Sequence, residues 1–215
     1  MLAKLGDSIV ETAQQLLDAA QAAGVFTIGI ESDKRGNGTS INVDLHGWDE
    51  AKNLAVVQVR QCQFRPGRHN HVHKDYYLLG RVESGEVFAH PVASPLRRKA
   101  AREDRRACVD LVLADIWQCR VADLPDIERQ GDIALIPVIK LPDYAVSVAG
   151  PITLRESHVL EGDIWRSGET YFTRRGARLT HTKGEHATVK ARGGFYRVQE
   201  GVRATGWGFS APTAD

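Results

Sequence analysis

The sequence predicts an α+β fold: an N-terminal helix, short β-strands, a middle helix, and a β-rich C-terminal half arranged as a meander or barrel-like unit. Three observations predict it. Apolar residues between Ile9 and Ala20 recur at helical spacing, runs of β-forming residues separated by turn chemistry fill much of 25–90, and from Gly150 to Gly194 glycines punctuate short strand-like runs.

The elements follow in order. Ser8 and Glu11 make a capping-box signature, Ile9, Val10, Ala13, Leu16, Leu17 and Ala20 form one apolar stripe, and Gly24 is a natural stop. Strands are expected over 25–31, 40–46 and 54–64, with turns at 34–38 and at Gly47-Trp48-Asp49-Glu50. Pro66-Gly67 breaks the chain before a strand over 69–81, and Ser84-Gly85 reads as a hairpin turn into 86–90. Ser94-Pro95 reads as a helix cap with proline at the first helical position, and 108–117 as a buried helix. From Gly131 onward the pattern is β. Leu124-Pro125-Asp126 marks the boundary if there are two units, 1–125 and 126–215; the alternative is one continuous domain.

Composition narrows the function classes. The 215 residues carry 28 Lys and Arg against 27 Asp and Glu, a formal net charge of +1, so the surface as a whole is not built for phosphate backbones. No apolar run reaches the roughly 18 residues of a membrane-spanning helix, so no membrane partner is expected. Three cysteines, Cys62, Cys108 and Cys119, form no CxxC pair, and with no signal-peptide pattern the chain is expected in the cytoplasm. P-loop, GxGxxG and GxSxG motifs are absent.

The chemistry-bearing feature is histidine, eight residues mostly in two clusters. In the C-terminal half His181 and His186 flank Lys183-Gly184. A two-residue loop there would set the two imidazoles opposite each other, within reach of one metal ion at about 2.0–2.1 Å per bond. His158 would approach from a neighbouring strand as third ligand, with Glu185 as general base. Zinc is the default metal for histidines without thiolates, and the reading is a metal-assisted hydrolase or similar small enzyme acting on a small molecule. HExxH and HxxEH spacings are absent. A cross-strand surface pair bound to water is the bland account of the same residues.

The first cluster places His69, His71, His73, Asp75, Tyr77 and Leu79 on one face if 69–79 is a strand. His71, His73 and Asp75 form a secondary candidate site. A cupin-type metal strand would need a glutamate three or four residues on, where Tyr76 and Tyr77 stand. Basic and aromatic residues supply the competing reading, a non-catalytic module binding single-stranded nucleic acid or a protein. Its contacts would come from Arg174, Arg178, Lys183, Arg192 and Tyr171. The exposed edges of a meander also leave oligomerisation open.

Overall fold

The computed structural model describes residues 7–22, 29–68, 70–81, 87–92, 105–184 and 187–201. The chain divides into two compact units, Met1–Val112 and Leu113–Arg203. Fifteen strands and two α-helices are found among the described residues. The molecule is therefore more β-rich than the α+β expectation, although both expected helices exist.

In the first unit, α1 (Asp7–Ala22) precedes an antiparallel meander of β1 (Gly29–Ser32), β2 (Gly38–Asp49), β3 (Leu54–Phe64), β4 (His71–Arg81) and β5 (Val87–Pro91), neighbours in sequence order. Helix α1 sets Leu16 and Ala20 against Trp48, Ala55, Val57, Leu79 and Val87. Period-two alternation puts Ala55, Val57 and Val59 on this face. Val56 and Leu78 point the other way yet are equally buried, so the middle of the sheet is covered on both sides. Gly47-Trp48, expected as a turn, is strand instead. A bulge between Leu45 and Gly47 keeps the ladder running and lets Trp48 enter the core. The turn falls three residues later, at 50–53, where Asn53 takes a φ of 50°.

That turn is anchored by Asp49, whose side chain is 2% exposed. The Lys52 ammonium binds the Asp49 carboxylate and reaches Asp110 at 2.9 Å on α2 (Arg105–Ile116), while Arg106 lies 3.6 Å from Asp49. Burial is the largest influence on the Asp49 carboxyl and pushes its pKa up. The hydrogen bonds and charge of Lys52, with Arg106 behind them, override it and leave the group below its ordinary value. The capping side chains Ser8 and Glu11, together with Gly24, the 84–85 turn and the Ser94-Pro95 cap, lie outside what is described.

The second unit opens with the end of α2 and one 3₁₀ segment, Val121–Asp126, which contains Leu124-Pro125-Asp126. Ten strands follow: β6 (Glu128–Gln130), β7 (Ile133–Val138), β8 (Val146–Val148), β9 (Ile152–Leu154), β10 (His158–Glu161), β11 (Ile164–Ser167), β12 (Thr170–Arg174), β13 (Arg178–His181), β14 (Val189–Lys190) and β15 (Phe195–Glu200). They form a six-stranded sheet, β6-β7-β15-β12-β11-β8, and a four-stranded sheet, β14-β13-β10-β9. Ile133, Leu135, Ile164, Tyr196 and Val198 of the first share one core with Leu154, Leu160 and Leu179 of the second. This is two-layer β packing rather than a sequential meander, because β15 pairs with both β7 and β12 and the chain passes between layers. One glycine is dictated by geometry: Gly162, between β10 and β11, has a φ of 119°, and a Cβ there would sit 3.0 Å from the Ala177 backbone.

Candidate histidine site

Strands β9, β10 and β13 bring two of the expected ligands together. In their antiparallel register Leu154 pairs with His158 and His158 with His181, one two-residue step from Ile152, Leu160 and Leu179. Both imidazoles therefore project into the space between the sheets, at 1% and 2% exposure. Their ring centroids lie 4.8 Å apart with planes at 79°. Local pattern explains the placement: His-Val-Leu-Glu and Arg-Leu-Thr-His each alternate core-facing with outward residues, and the histidines occupy core-facing positions at the end of each run.

The turn before β10 fixes His158. Arg155 and Glu156 both take positive φ, 46° and 62°, which turns the chain back sharply. Ser157 then donates its hydroxyl to the Arg155 carbonyl at 3.2 Å, and its oxygen lies 3.1 Å from His158 Nδ1. A serine has one proton to give. With that proton directed at Arg155, the Ser157 oxygen accepts from Nδ1–H, and His158 Nε2 carries the lone pair. Asp132 Oδ1 stands 3.9 Å from the same Nδ1. Asp132 is in turn held by the Arg155 guanidinium at 2.7 Å, which also reaches Glu200 at 2.8 Å and the Gly201 carbonyl at 3.0 Å. Ser157, Asp132 and Arg155 were not legible as site residues. Adjacency to His158 was the one available signal for Ser157, and Asp132 has none, since it comes from the other sheet.

The β13–β14 register corrects one expectation. A Lys183-Gly184 loop would pair Arg178 with Val189, but Arg178 pairs with Lys190 and Leu179 with Val189. Gly184 N donates to His181 O at 3.0 Å, so the turn centres on Thr182-Lys183 and Gly184 takes the left-handed φ of 70° just after it. A one-residue slip reverses faces. On the β10 side, the residue opposite His181 is His158. Glu185 and His186 themselves lie outside the described residues. Among the described residues no three His, Cys, Asp or Glu side chains are grouped to hold an ion.

The expected arginine–aromatic surface is divided. Arg174 forms a two-point ion pair with Asp163 and lies 5.7 Å from the Trp165 ring centre, with Phe195 edge-on to Trp165 at 6.2 Å. Tyr171 packs against the core, and Arg166 covers it at 5.8 Å. Arg178, by contrast, is on the outer face of the four-stranded sheet between Glu161 and Lys190. Arg192 lies 3.3 Å from Glu128, and Lys183 is exposed in the turn.

In the first unit, β4 carries His71, His73 and Asp75 on the helix-side face, as alternation requires, while His69 lies outside the described residues. His73 is 51% exposed, and its Nε2 lies 3.0 Å from Oδ2 of Asp75, whose side chain is 10% exposed. The three cysteines are free thiols. Burial, and then the Asp123 charge, push the Cys119 thiol up against a smaller opposing effect of Arg197, which makes it a poor nucleophile. None of the described helices is long and apolar enough to cross a membrane. The chain matches no family model, no curated protein and no solved structure.

Proposed function

We propose that the second unit is a metal-assisted hydrolytic centre, with a zinc ion held by His158, His181 and His186 and Glu185 acting as general base. The observation that carries the reading is the setting of His158. Its Nδ1 faces the Ser157 hydroxyl at 3.1 Å with Asp132 Oδ1 at 3.9 Å, and its ring centre lies 4.8 Å from that of His181. Metal-ligating histidines are oriented in this way, by a hydrogen bond from the other ring nitrogen. The sequence carries Glu185 and His186 within five residues of His181. Bound zinc would lower the pKa of a coordinated water to about 7, and a carboxylate would take its proton as it attacks. Three free thiols suit a reducing compartment such as the cytoplasm.

Metal analysis of the full chain, purified without a histidine tag, tests this. About one zinc per chain is expected, with occupancy lost in His158→Ala and His186→Ala. Ser157→Ala should weaken affinity by about tenfold to a hundredfold. Glu185→Gln should keep the metal and lose hydrolysis of ester or phosphoester probes. A metal-free protein whose melting temperature ignores added zinc overturns the reading.

One observation favours a second reading, a binding module for single-stranded nucleic acid or a protein: the Arg174–Trp165–Phe195 group, a cation stacked on aromatics. Oligonucleotide affinity that falls steeply with salt would support the nucleic-acid form. Pairing of Arg174 with Asp163 and of Arg192 with Glu128 already offsets much of the charge that form needs.

A further inference from the structure

We propose that His71 and His73 of β4 form a separate, open binding site for a divalent transition-metal ion, with Asp75 as the residue that positions His73. The two imidazoles stand two residues apart on one face of a strand, about 7 Å along the backbone, a spacing that two side chains can close onto one ion at roughly 2 Å per bond. Nε2 of His73 faces Asp75 Oδ2 at 3.0 Å. A carboxylate accepts only, so Nε2 bears the proton and Nδ1 carries the lone pair. The carboxylate is nearly enclosed while the imidazole is half exposed, the reverse of two solvated side chains meeting at random. It fixes the orientation of the ring as a ligand.

The surroundings fit a cation. Across the ladder the residues opposite His73 and His71 are Gln61 and Gln63, neutral amides, and Lys74 and Val72 alternate to the other face. Strand β5 pairs only with Tyr77–Arg81, so among the described residues the edge of His71–Asp75 away from β3 has no strand beside it. An edge that only needs to repel other strands requires charge, and a lysine would serve. It does not require an enclosed carboxylate behind a histidine. Two protein ligands are fewer than the three or four of a dedicated zinc centre, so the remaining positions go to water or to an outside donor. The site depends on no residue of the second unit.

Copper titration of the full untagged chain tests the proposal, followed by calorimetry and by electron paramagnetic resonance, which reports nitrogen ligands directly. In the His158→Ala background, which removes the centre proposed above, one saturable Cu²⁺ site with histidine nitrogen coordination is expected. His71→Ala and His73→Ala, exposed positions that leave the fold intact, should each weaken it at least tenfold. Asp75→Asn should weaken it about tenfold while leaving both ligands in place. Its persistence in the His158→Ala background separates this site from the zinc reading above. Absence of saturable copper binding overturns the proposal. So does wild-type affinity in the His71→Ala/His73→Ala double variant, which would assign the copper to other nitrogens.

Discussion

Arg155 does the most work of any single side chain beside the histidine pair. Its guanidinium spans Asp132, Glu200 and the Gly201 carbonyl at 2.7–3.0 Å while being only 18% exposed. It ties the turn before β10 to the start of β7 and the end of β15 in the opposite sheet, and keeps Asp132 facing His158. Arg155→Ala removes three charge-assisted bonds and leaves Asp132 half-enclosed without its cation. A loss of about 2–4 kcal/mol in unfolding free energy is expected by urea denaturation. Arg155→Lys should recover little, because an ammonium cannot reproduce the forked geometry. A loss below about 0.5 kcal/mol, typical of a surface ion pair, would show that the network is not structural.

At the scale of elements, the β2–β3 turn and α2 are joined by charge. Asp49 has a depressed pKa in the fold, so its contribution is complete above its ordinary value of 3.8 and disappears as pH falls through the lower folded value. Lys52 is shifted upward: burial, the largest influence, lowers it, but hydrogen bonds to Asp49 and Asp110 and their charges raise it further. Its contribution is complete below 10.5 and is lost as pH rises beyond that. The stability difference between the parent chain and Asp49→Asn should therefore be flat between about pH 5 and 9 and shrink below about pH 4. Chemical denaturation across that range checks it; a difference that grows on acidification contradicts the assignment.

For the whole molecule, each unit has a packed cluster among the described residues: Leu16, Trp48, Val57 and Leu79 in the first, Leu135, Leu160, Leu179 and Val198 in the second. Leu79 and Leu160 are both fully enclosed, so Leu79→Ala and Leu160→Ala should each cost about 2–5 kcal/mol. Amide hydrogen exchange should rise in β3 and β4 for the first variant, and in β10 and β13 for the second, with the other unit little changed. Equal acceleration in both units would mean that they unfold as one.

Much was legible from local pattern alone. The stripe through Leu16 and Ala20, the alternation of 54–64 and 71–81, and the face shared by His71, His73, Asp75 and Leu79 all follow from periods of 3.6 and 2, which depend only on neighbours in the chain. Those same periods could not tell a bulge at Gly47 from a turn, or a turn at Thr182-Lys183 from one at Lys183-Gly184. Each choice costs little locally and is settled by what the flanking strands bury. The partner of His181 is a stronger case. The ladder sets it beside His158, twenty-three residues back, a contact that no local spacing announces. Asp132 reaches that pair from a different sheet. The sequence by itself determined which residues alternate along each element and which side chains are candidates for chemistry. Only the tertiary structure decided which of them meet, because strand pairing and sheet packing join residues through burial and hydrogen bonding that no local spacing encodes.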